Sequence, residues 1–245
     1  MRFVDSHLHL EGPRWADQLS IARATDSLLV SCGVDRETSA ITLRHAETFP
    51  KAVRAFVGVH PSEVLKDTGL AWMEPALARA AGVGEIGLDP KYSASGPGTA
   101  QMRAFLAQLQ MAQDAKKPVQ VHSRDSAREC LDALGGFGIC QVLMHWFQDE
   151  RLVGEVVDRG YFVSFGPAVL YSKGLQRMAR RCPHGQVLTE TDFPVPFGPL
   201  GGGLGPALLP SVVFKLSELW GEEFEDARSI LTGNAIRFLG LSEKG

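Results

Sequence analysis

Five of the seven histidines in this 245-residue chain, His7, His9, His60, His122 and His145, stand at or just past the end of a short apolar run. Imidazoles so placed bind divalent cations or carry protons. In Phe3-Val4-Asp5-Ser6-His7-Leu8-His9 a strand period of two puts Asp5, His7 and His9 on one face, toward an interior, and Val4, Ser6 and Leu8 on the other. His7 and His9 then lie roughly 6.6 Å apart at Cα, within reach of one cation. Glu85, in Gly84-Glu85-Ile86-Gly87-Leu88-Asp89, adds a carboxylate whose two oxygens can bridge two cations, and no Lys or Arg in that stretch offers an interior ion pair. His122 and His145 directly follow apolar runs, where a purely structural protein would place a turn residue. Glu190 and Asp192 share a face of Leu188-Thr189-Glu190-Thr191-Asp192-Phe193-Pro194, one as a ligand and the other as its support. Four imidazoles and two carboxylates from five strands make a nitrogen and oxygen set for one or two divalent cations, with Mg, Mn and Zn all acceptable. His45, on a helix, and His184, in a Cys-Pro-His-Gly-Gln loop, read as surface residues.

The elements that must hold these groups recur regularly. Apolar runs occupy Arg2–Asp5, Ser27–Cys32, Val53–Val59, Val83–Leu88, Pro118–Val121, Cys140–Met144, Tyr161–Phe165 and Gln186–Thr189. Amphipathic stretches separate them, the clearest being Thr99–Lys117 with a stripe of Met102, Phe105, Leu106, Leu109 and Ala112. Eight such units of about 31 residues each predict a single (β/α)8 TIM-type barrel, one domain over residues 1–245. No GxGxxG follows the first strand, which argues against a doubly wound sheet. Barrels of this type carry their active sites at the C-terminal strand ends, where the histidines fall.

Composition narrows the partners. With 25 Lys+Arg against 28 Asp+Glu the net charge is −3, which excludes holding nucleic acid by bulk positive charge. No apolar run reaches 18 residues and the N-terminus lacks a secretory pattern, so a cytoplasmic protein without a membrane partner is expected. Nothing calls for an obligate protein partner. Cys32, Cys130, Cys140 and Cys182 are dispersed without a CxxC pair and read as reduced, mostly buried thiols.

Taken in order, Asp5-Ser6-His7-Leu8-His9, Gly58-Val59-His60-Pro61, Gly84 to Asp89, His122-Ser123-Arg124, His145-Trp146-Phe147, Glu190-Thr191-Asp192-Phe193-Pro194 and Asn234-Ala235 resemble the successive motifs of the TatD-type metal-dependent hydrolases, of the amidohydrolase-like barrels. The resemblance spans nearly the whole chain. It implies that His7, His9 and Asp192 hold one metal, that His122 and His145 hold a second, and that Glu85 bridges them. It also implies phosphodiester hydrolysis of the deoxyribonuclease kind. Two features depart from the pattern: Glu11 stands where an Asp is usual, and Phe197–Pro206 carries no charge where Arg and Asn are usual near the substrate. The Gly201-Gly202-Gly203 run is no phosphate loop, because no Lys-Ser/Thr follows it.

The expected chemistry is metal-assisted hydrolysis with Asp192 as general base and Glu85 beside it. Arg124 and His60 are expected to hold a phosphate or other anion, on a DNA end, a nucleotide or a small phosphate ester. A hydrolase of a small amide, ester or lactone, and a metal-loaded barrel without turnover, are the competing readings.

Overall fold

The computed structural model describes residues 2–66, 69–92, 99–198 and 203–241. Its centre is one sheet of eight parallel strands in sequence order: β1 (Phe3–Leu8), β2 (Ser27–Cys32), β3 (Val53–Val57), β4 (Gly82–Gly87), β5 (Val119–His122), β6 (Val142–Met144), β7 (Phe162–Phe165) and β8 (Val187–Thr189). Between them lie α1 (Trp15–Thr25), α2 (Arg36–Thr48), α3 (Met73–Leu77), α4 (Thr99–Asp114), α5 (Ala127–Leu134), α6 (Val153–Asp158) and α7 (Lys173–Arg181), with α8 (Leu209–Trp220) and α9 (Phe224–Phe238) after β8. This is the expected (β/α)8 architecture, in a nearly closed barrel.

Outward strand residues such as Val57, Val83, Val119, Val121, Val142, Met144 and Val163 pack under the helices in the largest apolar cluster. Inward ones, Val4, Leu28, Val30, Phe56, Leu143, Phe162 and Leu188, form a separate plug with Ala235, Phe238 and Leu239 of α9. Gly82 makes room for it: a Cβ there would meet the Phe56 ring at 2.2 Å. Asn234 on α9 donates through Nδ2 to the carbonyls of His184 and Val187, which fastens this helix where β8 begins. The apolar floor is thus at the N-terminal ends of the strands, and the polar groups gather at the other end.

Two local departures from strict alternation matter. Between Asp5 and Leu8 three steps of β1 match two of β2. The extra residue is a bulge, and it resets which side chains face inward. Val4 therefore joins the inner plug, whereas the sequence pattern predicted it on the helix side. Asp5 is also not in the histidine group; Thr191 donates to its carboxylate from both N and Oγ1, and burial pushes its pKa up to about 8 despite those bonds. The same irregularity occurs in β4, where Val83 and Ile86 both pack outward although three residues apart, with Glu85 between them.

The seam between β1 and β8 is closed by individual bonds. Thr189 Oγ1 donates to Val4 O at 2.7 Å, Asp192 N to His7 O at 2.9 Å, and His9 N to Phe193 O at 2.8 Å. These bonds carry the chain beyond β8 across the end of β1.

The stripe on α4 is also partly different from expectation. Leu106 turns to solvent at 38% exposed, while Gln101 and Gln108 are buried. Each buried glutamine pairs through its amide with backbone: Gln108 with both N and O of Val59, and Gln101 with both N and O of Asp89. Amides can take core positions here because the loops after β3 and β4 offer unpaired backbone groups. The three buried thiols, Cys32, Cys130 and Cys182, and the exposed Cys140 are all free. His45 and His184 are half-buried, stacked on Trp15 and Trp220 respectively. No helix among the described residues is long and apolar enough to cross a membrane.

Phe238 is fully buried between Phe56 and Phe162. Phe238→Ala should therefore cost about 3–5 kcal/mol of stability. Because the floor is remote from the polar end, chemical denaturation should show the loss while divalent-cation uptake by the folded variant stays at the wild-type level.

Candidate metal centre

Glu85 is the hub. Its carboxylate, 4% exposed, has Oε1 at 2.7 Å from His122 Nδ1, 2.9 Å from His145 Nε2 and 3.6 Å from His60 Nε2. Oε2 lies 3.6 Å from His7 Nε2 and 3.5 Å from His9 Nε2. Asp192 Oδ1 completes this side, 3.6 Å from both His7 Nε2 and His9 Nε2. Asp192 itself adopts a left-handed backbone at φ 47°, held by its N–H bond to His7 O. The structure thus brings together all six expected ligands, from the ends of β1, β4, β5, β6 and β8.

Several of these separations are too long for hydrogen bonds. They are close to the edges of a coordination shell: ligands at 2.0–2.2 Å in a tetrahedron stand roughly 3.4 Å apart. The ring orientations agree. His9 Nδ1 lies 2.9 Å from Cys32 O, a carbonyl that can only accept, so Nδ1 carries a proton and Nε2 is the nitrogen turned inward. His145 Nδ1 faces Glu190 Oε2 at 3.3 Å, and Ser164 Oγ and Trp146 N hold Glu190 in place. His122 Nε2 faces Asp89 Oδ2 at 2.7 Å. An imidazole supported by a carboxylate or carbonyl on its far nitrogen is the usual state of a metal-ligating histidine. His7 Nε2 is buried and has no hydrogen-bond partner among the described residues. Among the described residues three groupings could each hold an ion: His7, His9 and Asp192; His7, Glu85 and His145; and His60, Glu85 and His122. The donor set fits a divalent cation.

Burial works against charge throughout, yet the groups compensate one another. His60, His145 and His122 hold the Glu85 carboxyl well below its usual range, and His9, His145 and His7 lower Asp192. In return Asp192, Glu85 and Glu11 lift His9 to about 9, and Glu85 with Glu190 raises His145 strongly. His60 is the exception, pushed down to about 4 by burial. The backbone N–H of Ser62 donates to its Nδ1 at 3.1 Å, so neutral His60 carries its proton on Nε2, directed at Glu85. That distinguishes it from His7, His9, His122 and His145.

The centre opens into a cavity of about 1320 Å³ lined by His60, Tyr92, Arg124 and Trp146 among others. Arg124 is in this cavity, but not as a free cation. Its guanidinium lies 2.6 Å from Asp89 Oδ2 and 5.3 Å from the centre of the Tyr92 ring. Asp89 therefore ties Arg124 to His122. The sequence reading gave no role to Asp89, although it closes the motif that contains Glu85. Gly87 makes their approach possible, at φ 141° with a Cβ position only 2.0 Å from His122 O. In the uncharged stretch 197–206, residues 199–202 lie outside the described residues; Phe197 packs on Trp146 at 5.2 Å between ring centres.

The family described as TatD related DNase matches residues 4–240. The chain belongs to the TatD family. Among its relatives, the uncharacterized metal-dependent hydrolase TatD of Mycobacterium tuberculosis is 32% identical over 259 residues, 97% of this chain and 98% of that one. Deoxyribonuclease TATDN3 of Homo sapiens is 30% identical, over 78% of this chain and 77% of that one. The crystal structure of YJJV, a TatD homologue from Escherichia coli, superposes with a TM-score of 0.89 at 23% identity, covering 98% of this chain and 99% of that chain, and shows the same fold. As a TatD protein the chain is a metal-dependent hydrolase, and the cluster around Glu85 is its candidate metal centre.

Metal binding to the folded state alone must raise stability. After chelation and dialysis, returning Mn²⁺ or Zn²⁺ at a hundred times its Kd should add about 2.7 kcal/mol, seen as a rise in the unfolding midpoint. Glu85→Gln should abolish most of that increment, since it removes the charge shared by both halves of the cluster. An unchanged increment in this variant would show that the ion binds elsewhere.

Proposed function

We propose that this TatD protein is a phosphodiesterase that acts on single-stranded DNA ends or small phosphate esters. The observation that carries the reading is the Glu85-centred cluster opening beside Arg124 and the Nε2–H of His60. One or two divalent cations would be held by His7, His9 and Asp192 and by His122 and His145, with Glu85 between them. When bound, such an ion lowers the pKa of water from 15.7 toward about 7 and offsets charge on phosphoryl oxygens.

The side chains supply the remainder. Asp192, ionised and buried, accepts the proton of the attacking water at its carboxylate. Glu85 stays charged among five imidazoles and fixes the spacing of the two halves. His60 donates its Nε2–H to a phosphate oxygen, a role open to it because its ring is neutral and its Nδ1 is already satisfied. Arg124 presents its remaining guanidinium donors to the phosphate while Asp89 and Tyr92 hold its plane. The deoxyribonuclease name of the human relative supports this choice of bond.

The charges around the cavity favour a small footprint on nucleic acid. Arg124 pairs with Asp89, Arg128 with Glu155, and Arg151 with Asp149. No broad run of free cations is available among these residues to neutralise a duplex.

Asp192→Ala should lower kcat on a chromogenic phosphodiester by about 10²–10⁴, with an unfolding midpoint near wild type; retained turnover would remove Asp192 from the role of base. If a small carboxylic ester is hydrolysed instead and no phosphodiester is, the substrate assignment fails.

On single-stranded DNA, one to three gripped phosphates would give a log–log salt slope for KM of about 0.7 per phosphate. A slope above about 4 would reveal an extended basic groove. Arg124→Ala should raise KM with a smaller change in kcat.

A further inference from the structure

Beneath the candidate metal centre lies a polar contact that the proposed reaction does not use. Gln120 stands between Val119 and Val121 on β5 and is completely buried. Its Nε2 donates to Ser6 O on β1 at 2.7 Å. That bond fixes the amide, because the carbonyl can only accept. Oε1 is therefore turned toward β1 and β2, with His7 Nδ1 at 2.5 Å and Cys32 Sγ, which donates to it, at 3.1 Å. Two donors meet the two lone pairs of one amide oxygen.

This arrangement determines the state of His7. With Gln120 Oε1 as acceptor, the proton is on Nδ1 and the lone pair on Nε2. Nε2 is the buried nitrogen without a partner, 3.6 Å from Glu85 Oε2 and from Asp192 Oδ1. His145 stacks on the same ring with centres 3.8 Å apart and planes at 16°. The stacking limits the tilt of His7 but does not choose its tautomer.

The supporting group is unlike its neighbours. His145 and His122 are backed by the carboxylates of Glu190 and Asp89, and His9 by a main-chain carbonyl. His7 is backed by a neutral side-chain amide that in turn receives a thiol hydrogen bond. A carboxylate in this position would add a further buried negative charge under Glu85 and Asp192. The amide orients the ring without that charge.

We propose that Gln120, assisted by Cys32, is a positioning residue that holds His7 in its Nδ1–H tautomer and so sets the affinity of the centre for a divalent cation. The inference rests on the metal-site reading above. Its cost if removed follows from comparable supports of metal-ligating histidines, about 10–100-fold in affinity.

The test uses metal-free full-length protein in four forms: wild type, Gln120→Met, Gln120→Glu and Cys32→Ala. Calorimetric titration with Mn²⁺ gives affinity, and imidazole ¹⁵N spectra of the metal-free protein give the His7 tautomer, with His7→Ala identifying the signals. Gln120→Met keeps the volume but removes the acceptor; it should bind Mn²⁺ about 10–100-fold more weakly and lose the pure Nδ1–H pattern of His7. Gln120→Glu restores an acceptor and should recover the Nδ1–H pattern and most of the affinity. Cys32→Ala leaves Gln120 in place and should cost only a few-fold, which keeps the proposal testable if Gln120→Met does not fold. Wild-type affinity and an unchanged His7 pattern in Gln120→Met, or wild-type affinity in Cys32→Ala where the methionine variant cannot be isolated, would overturn it. If wild type itself binds no Mn²⁺, the metal reading fails; the tautomer readout then decides the effect of Gln120 on His7 separately.

Discussion

Two carboxylates, Glu85 and Asp192, are taken out of water at the top of this barrel, and most of the polar structure follows from the need to compensate them. An isolated buried carboxylate is too costly to keep charged. Here every nearby imidazole is arranged around that pair, and each imidazole is in turn braced on its outer side. The result is two concentric layers. Glu85 and Asp192 meet the inward nitrogens, while Cys32 O, Gln120, Asp89 and Glu190 meet the outward ones. A divalent cation between the layers would take over the role of positive partner that the histidines now share.

Closure of the barrel is what makes the arrangement possible. Asp192 follows the last strand and His7 belongs to the first, so they lie far apart in sequence. The bonds from Asp192 N to His7 O and from His9 N to Phe193 O bring them together at the seam. Thr189 and Thr191 close the same seam lower down, and Thr191 occupies Asp5 in doing so. One carboxyl of the first strand is thereby committed to architecture, and the two histidines after it are left to the site.

Stability and chemistry are placed at opposite ends of the strands. The floor is apolar, filled by Phe56, Phe162 and Phe238 and sealed by α9. The rim is polar and opens to the cavity. Gln101 and Gln108 connect the two, since they extend from the apolar face of α4 to the loops carrying Asp89 and His60. Such separation lets loops change around a constant frame, which is the general advantage of this barrel.

The sequence by itself determined the eight strands, their parallel order and the six residues that converge at the centre. All of these are written in local signals: apolar runs of strand length, helical periodicity between them, and a His, Glu or Asp at the ends of five of the runs. What the tertiary structure decided was orientation and partnership. Strict alternation placed Val4 outward and Asp5 among the histidines; the bulge in β1 reversed both, because an extra residue depends on pairing with β2 and leaves no mark in β1 alone. Gln120 could have been noticed as a polar residue on the inward face of β5, in phase with His122, but its partners Ser6 and Cys32 come from strands that only closure brings near. Arg124 was legible as a cation near the site, yet its pairing with Asp89 and its place over Tyr92 were not. Residue type and spacing reveal which groups can do chemistry, and long-range packing decides which nitrogen, oxygen or face each one presents.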